Sequence, residues 1–295
     1  MKVLITGGNG QLGRCLQDEL KAQNIIFFAP PRAALDVQSD ASLTAAFEQF
    51  QPTVVINAAA YTAVDKAESD QQTAFAVNSD AVAALSLLCV QHDIPLYHVS
   101  TDYVFDGNSP ARYVETSKTN PMSIYGQSKL AGESHFIASG VKGLIIRTSW
   151  LYSEYGNNFF KTMLRLAETR EELTVVTDQI GVPTYARDLA KFLLHLIVNC
   201  QLSPSKLPIV HFCNNGVASW YDFAFDIMQQ HKPEVSVRPI STLEYPTPAR
   251  RPAASVMSNV KASKEFGFTN RHWRLALQEC HTKFSQISAI QTDVG

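Results

Sequence analysis

The sequence lacks two features that mark large classes of proteins: paired cysteines and an excess of charge of one sign. Its five cysteines are scattered and never form a CxxC pair, which predicts neither a disulfide framework nor a zinc site and fits reduced thiols in a cytosol. The formal net charge is only -2, so nothing indicates nucleic acid or an anionic membrane as a partner. A small molecule is the better expectation.

Long hydrophobic runs are also missing. The opening residues, MKVLITGGNG, reach glycines after a short apolar run, too soon for the core of a signal peptide. No later run approaches the ~18 consecutive apolar residues that span a bilayer. We therefore expect a cytoplasmic protein without a membrane segment.

Short apolar runs that alternate with helical patterns indicate the fold. The runs are VLIT at 3–6, IIFF at 25–28, TVVINA at 53–58, PLYHVS at 95–100 and GLIIRT at 143–148. Strands that read as continuous apolar runs are buried on both faces of a parallel sheet, and the segments between them have apolar residues at three- and four-residue spacing. With right-handed crossovers, this pattern predicts an α/β fold with a doubly wound parallel sheet.

The regularity weakens beyond residue 150. Turn formers and proline are concentrated in DQIGVPTY at 178–185 and in LEYPTPARRP at 243–252, which suggests loops that fold over the sheet. We expect a first domain over residues 1–150, to which some later segments return, and a smaller second part over residues 151–295.

A glycine-rich turn joins the first strand to the first helix. Gly7, Gly10 and Gly13 in GGNGQLG permit a tight turn, a close approach of the backbone to a pyrophosphate, and close packing of helix on strand. The spacing departs from GxGxxG, and a simple strand-to-helix turn is the alternative.

The end of the second strand has an arginine where an NAD-binding unit usually has an acid. Such units carry Asp or Glu roughly 20 residues past the glycines to bind the ribose hydroxyls, whereas this segment offers Arg32. An arginine suits a 2′-phosphate, so we favour NADPH over NADH, and a solvated loop arginine is the alternative. Asp36 and Val37, in the following turn, are expected near the adenine.

Small and polar residues follow the third and fourth strands. Ala60, Tyr61 and Thr62 end the string NAAAYT, where a cofactor ribose could lie against the backbone at the carboxyl edge of the sheet. Thr101 and Asp102 follow the apolar run PLYHV and are placed to bind a substrate carbonyl or hydroxyl. A small-residue packing patch and a turn-capping aspartate are the alternatives.

The stretch SIYGQSK places Tyr125 and Lys129 one helical turn apart. An ammonium close to a phenol favours the phenolate and lowers a pKa that is ordinarily ~10. A positioned phenol can then protonate a carbonyl oxygen as hydride arrives. YxxxK also occurs by chance, so a surface pair is the alternative. We expect Ser123 at the start of this helix and Ser128 on its surface.

These elements, in this order, resemble the extended short-chain dehydrogenase/reductase family, whose catalytic set is Ser or Thr together with YxxxK. Strings similar to one branch of that family are STDYVFDG, INAAAYTAVDKAE, YGQSKLAGE, RTSWLY, NNFFKTMLRLA, DQIGVPT and YPTPARRP. The resemblance covers residue 1 to about residue 275. It implies a Rossmann-like NADP-binding domain and reduction of the C4 keto group of a nucleotide sugar, dTDP-4-dehydro-β-L-rhamnose.

The resemblance also implies roles for single residues. Tyr125 would be the proton donor, Lys129 would bind the nicotinamide ribose and lower the tyrosine pKa, and Thr101 would stabilise the developing oxyanion. The implied cofactor contacts are Gly10, Gln11, Leu12, Asp36, Val37, Ala60, Tyr61, Thr62 and Val99, and the implied substrate contacts are Thr101, Asp102 and Trp150. A buried core position is the alternative for the tryptophan.

Two further features concern phosphate and metal. Arg250 and Arg251 in PTPARRP are candidates for the substrate diphosphate, because guanidinium groups bind phosphate as a bidentate fork; a solvated basic loop is the alternative. Some members of the family are dimers with Mg²⁺ at the interface. No acidic ligands for such a metal can be assigned in this sequence.

Rival functions are available on the same scaffold. A nucleotide-sugar 4,6-dehydratase uses an acidic pair after the threonine, whereas here Thr101 and Asp102 are followed by Tyr103. A non-catalytic NADP-binding regulatory subunit and a ketoreductase of different stereochemistry are two further rivals. The presence of Thr101, Tyr125 and Lys129 together favours an enzyme.

Overall fold

The computed structural model describes residues 1–200 and 207–292 of the chain. The strands are β1 Lys2–Thr6, β2 Ile26–Phe28, β3 Val54–Asn57, β4 Leu96–Thr101, β5 Gly143–Thr148, β6 Leu151–Tyr152, β7 Glu172–Val176, β8 Ile180–Gly181, β9 Thr184–Tyr185, β10 Ile209–His211, β11 Ala218–Ser219 and β12 Ser236–Ile240. The helices are α1 Gln11–Ala22, α2 Asp40–Phe50, α3 Val64–Ala67, α4 Gln71–Phe75, α5 Ala81–Gln91, α6 Ile124–Ser139, α7 Phe159–Leu166, α8 Ala186–Asn199, α9 Trp220–His231, α10 Val260–Phe266 and α11 Trp273–Thr292.

Six strands form the central sheet in the order β10-β5-β4-β3-β1-β2. All of its neighbouring pairs are parallel, so the predicted α/β fold with a doubly wound parallel sheet is confirmed. Each of the five apolar runs supplies a strand. The sixth strand, β10, was not among the expected runs.

Both faces of the sheet are covered, which explains the continuous apolar runs. Along β1, Val3 and Ile5 lie in one hydrophobic cluster with residues of α1 and α8, while Leu4 lies in another with residues of α2, α5 and α6. Successive residues of a strand point to opposite faces, so each face of β1 is packed against its own helical layer.

A third hydrophobic cluster lies outside the sheet. It unites α7, α9 and α11 with the short strands of the second half of the chain. By contrast, α8 and β10 also follow residue 150 but pack with the central sheet. α8 and β10 thus return to the central sheet, and the domain division at residue 150 stays a prediction.

The segment between β3 and β4 contains a wide helical turn. Over DQQTAFAVNSDAVAALSLLCVQH the structure forms α4, a π-helical turn at Ala76–Asp80, and α5. Gly132 of α6 approaches the Asn78 carbonyl in this turn so closely that a Cβ at position 132 would collide with it. π-Turns of this kind often occur at functional sites.

The same helical segment bears on the expectation that no segment spans a bilayer. Gln71–Gln91 is long and apolar enough to cross a bilayer by length and composition. Half of its most apolar stretch is buried inside the protein, and buried core helices meet the same criteria of length and composition.

A buried ion pair joins α6 to the central sheet. Arg147 of β5 donates from Nε and Nη2 to the two carboxylate oxygens of Glu133, at 2.9 and 2.5 Å. Ser100 of β4 adds a third hydrogen bond to the same carboxylate, at 2.5 Å. Both charged side chains are nearly inaccessible, at 3% and 2% exposure. The pair fixes the helix that carries Tyr125 and Lys129.

We predict that Glu133→Ala lowers the free energy of unfolding by about 3–5 kcal/mol, because it leaves the Arg147 guanidinium buried without its counter-charge. Urea unfolding measures the change. The matched control is Arg238→Ala, which removes an ion pair to Glu172 whose side chains are 54% and 53% exposed and should cost at most about 1 kcal/mol. Equal effects of the two substitutions would contradict the role assigned to the buried pair.

Candidate active site at the carboxyl edge of the sheet

A cavity opens where the strand order reverses between β1 and β3. Its volume is about 430 Å³, and ligands of doubly wound sheets bind at this switch point, outside the carboxyl ends of the strands. The lining residues are Gly7, Gly8, Asn9, Gly10, Pro30, Arg32, Leu35, Val37, Gln38, Ala58, Ala59, Ala60, Tyr61, Thr62, Ala63 and Val77. The glycine turn, the arginine after β2 and the NAAAYT segment therefore share one cavity.

Two glycines of the turn are required by its geometry. Gly7 has φ +71°, in the left-handed region, and a Cβ there would lie 2.7 Å from the Ala59 nitrogen. At Gly13, a Cβ would collide with the backbone of Gly7 and Gly8. Both features bring the start of α1 close to the strand ends, as a phosphate-binding turn requires.

The other predicted cofactor residues divide into two groups. Arg32 is exposed at the cavity wall, and the residues that share that wall with it are Gly10, Val37, Ala60, Tyr61 and Thr62. Leu12 lies in the hydrophobic core, and Gln11 accepts hydrogen bonds from Ser153 at 3.2 Å and Asn158 at 2.9 Å. Asp36 accepts a hydrogen bond from the Gln38 backbone. The contacts expected of this second group stay predictions.

Asn78 joins the Tyr61 segment to α6, and no sequence pattern marked it. Its Oδ1 accepts from the Tyr61 backbone nitrogen at 2.9 Å, and its Nδ2 donates to the Tyr61 carbonyl and to Ser128 Oγ, both at 3.0 Å. Ser128 is therefore buried, and the expectation of a surface position is wrong. Ser123 does begin the helix, since its hydroxyl accepts from the Gly126 nitrogen.

Tyr125 lies within reach of the Thr101 hydroxyl at the end of β4. Burial raises the pKa of the Tyr125 phenol to about 12, and the hydrogen bond with Thr101 opposes that rise. The ring also meets Tyr103 edge to face, with centroids 5.5 Å apart. The phenol therefore holds its proton at neutral pH, contrary to the lowering of its pKa expected from Lys129.

Lys129 is directed towards β4. Its Nζ donates to the Val99 carbonyl at 2.8 Å and lies 3.5 Å from His98 Nε2. Burial lowers the pKa of the Lys129 ammonium to about 8, and the Glu133 carboxylate opposes that shift. Val99 thus contacts the lysine through its backbone, and its predicted contact with a cofactor stays a prediction.

Asp102 is a buried carboxyl beside this pair. It is 2% exposed and accepts hydrogen bonds from Ser255 at 2.5 Å and from Thr101 at 3.1 Å. Burial raises the pKa of Asp102 to about 6, and the two hydrogen bonds oppose the rise. Ser255 comes from the loop that follows PTPARRP, and no sequence pattern marked it.

Trp150 is held in an unusual backbone conformation next to a second tryptophan. Its φ is +47°, which is uncommon for a bulky residue. The indole stacks on Trp220, with centroids 3.6 Å apart and planes at 6°, and lies against Gly181, where a Cβ would come within 2.5 Å of it. The half-buried position of Trp150 leaves part of the indole available to a ligand.

The two arginines of PTPARRP differ in their surroundings. Arg251 forms a bidentate ion pair with Asp65 of α3, at 3.0 and 2.8 Å. Arg250 is exposed. The ion pair ties the loop to the first half of the chain, and two backbone hydrogen bonds, Ile180 N to Ala253 O and Ser255 N to Ile180 O, tie it to the DQIGVPT segment.

No group of three or more His, Cys, Asp or Glu side chains within residues 1–200 and 207–292 is placed to hold a metal ion. The expectation of Mg²⁺ therefore finds no support in the described chain. The glycine turn, the cavity and Arg32 fit a different group, a dinucleotide with a phosphate on its ribose.

Comparison with known proteins agrees with this arrangement. The family model described as "RmlD substrate binding domain" matches residues 1–286. A relative from Aggregatibacter actinomycetemcomitans named dTDP-4-dehydrorhamnose reductase is 41% identical over 286 residues, which are 94% of this chain and 97% of the relative. The chain belongs to the dTDP-4-dehydrorhamnose reductase family. The matched region extends past residue 275, where the family resemblance seen in the sequence motifs ended.

Two other relatives bear on cofactor and product. A solved structure of dTDP-4-dehydrorhamnose reductase from Bacillus anthracis in complex with NADP has a TM-score of 0.90 and 36% identity, covering 96% of this chain and 99% of that one. A relative from Streptomyces niveus named dTDP-4-keto-6-deoxy-D-glucose reductase is 36% identical over 281 residues, 94% of this chain and 95% of the relative. Family members thus include an NADP-bound enzyme and reductases named for different keto sugars.

We predict that Asp102 makes stability fall as the pH rises from about 4 to about 6. The pKa of Asp102 in the folded protein lies above its ordinary value of about 3.9, so between these pH values the native state binds more protons than the unfolded state. The free energy of unfolding therefore falls by about 3 kcal/mol over this pH range. Urea unfolding at several pH values should show this fall in the wild type and not in Asp102→Asn.

The matched control is Asp106→Asn in the same segment. A hydrogen bond from the Asn108 backbone, and another from Tyr113, hold the pKa of Asp106 below its usual value. The contribution of Asp106 to stability is therefore lost as the pH falls. Asp106→Asn should thus change the pH dependence of the free energy of unfolding in the direction opposite to Asp102→Asn. Identical pH profiles for wild type and Asp102→Asn would contradict the prediction.

Proposed function

We propose that this chain reduces the C4 keto group of dTDP-4-dehydro-β-L-rhamnose with NADPH, giving dTDP-β-L-rhamnose. The observation that carries the proposal is the contact between the Tyr125 and Thr101 hydroxyls at the carboxyl end of β4. It occurs in a chain that is 41% identical to a relative with the corresponding name. A hydroxyl pair at the same carboxyl edge of the sheet as a dinucleotide cavity suits carbonyl reduction.

NADPH, when bound, supplies the hydride that is transferred to C4. The residues proposed to hold it line the cavity between β1 and β3: the glycine turn at the diphosphate, Arg32 at the 2′-phosphate, and Tyr61 and Thr62 along the ribose side. Lys129 is proposed to bind the nicotinamide ribose. NADH stays an alternative, because Arg32 is an exposed side chain on a loop.

Tyr125 is proposed to supply the proton. Its O–H bond breaks as the C4 oxygen becomes an alkoxide, and the product alcohol and a tyrosinate remain. The raised pKa of Tyr125 keeps the donor protonated at neutral pH before the reaction, while Thr101, whose hydroxyl donates to Asp102 in this structure, is proposed to redirect its hydrogen to the developing oxyanion. The lysine charge, when present, stabilises the tyrosinate that is left.

The second half of the chain is proposed to hold the nucleotide sugar. Trp150 offers an aromatic face to it, Asp102 accepts a sugar hydroxyl, and the exposed Arg250 binds the diphosphate. Arg251 is engaged with Asp65, so we assign it to positioning the loop before binding. Residues 151–295 would then be mainly a substrate-binding part beside an NADP-binding domain over residues 1–150.

A second candidate is a ketoreductase whose product has different stereochemistry, which the relative from Streptomyces niveus favours. We propose a cytoplasmic location, where sugar nucleotides are made, and a homodimer as the assembly. Comparing the 4-keto-rhamnose nucleotide with other keto sugar nucleotides, with product configuration determined by NMR, decides between the two candidates. Absence of NADPH oxidation with every keto sugar nucleotide would favour a regulatory subunit.

We predict that Tyr125→Phe lowers kcat by about 10²- to 10⁴-fold, the usual contribution of a general acid, and leaves the Kd for NADPH nearly unchanged. NADPH oxidation and cofactor fluorescence measure the two quantities. Tyr97→Phe is the matched control, since Tyr97 is a buried phenol on the same strand as Thr101 and its loss should spare kcat. Full turnover in Tyr125→Phe would exclude the phenol as proton donor.

We predict that Arg32→Ala raises KM for NADPH by roughly tenfold or more and leaves KM for NADH unchanged. The reason is the loss of one charge-assisted hydrogen bond to the 2′-phosphate. Steady-state kinetics with both cofactors measure the effect, and Arg238→Ala on β12, outside the cavity lining, is the control. Equal changes for both cofactors would show that Arg32 does not contact the 2′-phosphate.

A further inference from the structure

A chain of buried polar side chains crosses the sheet and ends at Lys129. Thr6 of β1 donates from Oγ1 to Asn57 Oδ1 at 2.6 Å. On β3, Asn57 Nδ2 lies 3.0 Å from His98 Nδ1, and His98 Nε2 on β4 lies 3.5 Å from Lys129 Nζ. All four side chains are buried, so the direction of each hydrogen bond has a large effect on its neighbours.

Two nearby donors favour one orientation of the Asn57 amide. Its Oδ1 faces the Thr6 hydroxyl and also accepts from the backbone nitrogen of Ala59, at 3.3 Å. A backbone N–H is only a donor, and although this one also lies 3.4 Å from Thr6 Oγ1, it favours the amide oxygen on that side and the amide nitrogen on the side of His98. Because an amide nitrogen only donates, His98 Nδ1 must accept.

The acceptor role of Nδ1 fixes the tautomer of His98. Burial, and then the nearby Lys129 charge, lower the pKa of His98 well below its usual value, so the imidazole is neutral. A neutral imidazole has one hydrogen, and with Nδ1 accepting, that hydrogen is on Nε2. Nε2–H is therefore directed at Lys129 Nζ.

A donor directed at Nζ distinguishes the two protonation states of the lysine. An ammonium has only donors, whereas an amine also has a lone pair that accepts Nε2–H. In either state Nζ can donate to the Val99 carbonyl, 2.8 Å away. The contact with His98 thus favours the amine, and burial of the lysine acts in the same direction.

We propose that Asn57 and His98 are positioning residues that set the protonation of Lys129: the amide fixes the imidazole with its Nε2 hydrogen directed at Nζ, which favours a neutral amine over an ammonium. Lys129 then changes charge close to neutral pH, and functions that depend on its ammonium decline as the pH rises. The link to catalysis rests on the proposed function, whereas the hydrogen-bond chain does not.

Other charges around α6 do not reverse this effect. Glu133 on the same helix favours the ammonium, but it is paired with Arg147 from β5. The titratable groups on the elements packed against α6 are Asp65, Lys66 and Glu68 near α3, Asp80 in the π-turn, Cys89 on α5, Tyr97 and His98 on β4, and Asp102 and Tyr103 after β4. Tyr125 on α6 itself is neutral at these pH values, because its pKa is raised to about 12.

The tautomer can be measured on the wild-type protein. Long-range ¹H–¹⁵N correlation of ¹⁵N-histidine-labelled protein distinguishes a ring protonated at Nε2 from one protonated at Nδ1, and His98→Asn identifies the His98 signals by their loss. We expect the Nε2–H form. An Nδ1–H or doubly protonated ring would overturn the proposal, whatever the stability of any variant.

The lysine is titrated separately. In ¹³C-lysine-labelled protein, the Lys129 Cε signal is identified by its loss in Lys129→Met, and its midpoint should lie near pH 8. In His98→Asn the new side chain can still accept a hydrogen bond from the Asn57 amide, but it presents no N–H to Lys129 at the Nε2 position. The titration midpoint of Lys129 should therefore rise by about one pH unit or more. His211→Asn is the matched control, a buried histidine on β10 of the same sheet, and should leave the midpoint unchanged.

An unchanged Lys129 midpoint in folded His98→Asn would also overturn the proposal. Neither measurement needs substrate or turnover. An active reductase with the wrong tautomer would overturn only this inference, and an inactive protein with the expected tautomer and titration would overturn only the proposed function.

Discussion

The hydrogen bond from Lys129 Nζ to the Val99 carbonyl, at 2.8 Å, joins helix α6 to the end of β4, and the arrangement of the candidate site depends on it. β4 lies between β3 and β5 in the sheet, so its end cannot shift without disrupting two ladders. Lys129 holds α6 against that end, and Tyr125, one helical turn earlier, is thereby brought to Thr101. The Glu133 and Arg147 pair, one turn further along, fixes the same face of the helix to the sheet.

Burial at this join shifts the two candidate catalytic groups towards their neutral forms. The pKa of Tyr125 is raised and that of Lys129 lowered, because water no longer solvates their charged states. Asp102, buried beside Thr101, is shifted in the same sense. In a buried site with few permanent charges, the negative charge that develops on the reacting oxygen is only weakly screened. Hydrogen bonds directed at that oxygen therefore stabilise it more than they would in water.

Much of this could be predicted from residues that are close in the sequence. The run VLIT followed by GGNGQLG predicted β1, the turn and the start of α1, because strand period and glycine geometry are local properties. SIYGQSK predicted a helix with Tyr125 and Lys129 on one face for the same reason. The π-turn at Ala76–Asp80 escaped prediction, since it depends on how closely Gly132 of another helix approaches Asn78. Ser128 was assigned to the surface because its buried partner, Asn78, lies 50 positions away.

The sequence by itself determined the layers of the fold, the identity of the glycine turn and the residue types available for chemistry, because these follow from apolar periodicity and from the properties of single side chains. Only the tertiary structure decided which of those side chains meet. It brought Ser255 to Asp102, paired Arg251 with Asp65 and leaves Arg250 exposed. It also directed Lys129 towards Val99 and His98, where desolvation and the order of donors and acceptors govern its charge. Those effects arise from packing between distant segments, which no local pattern records.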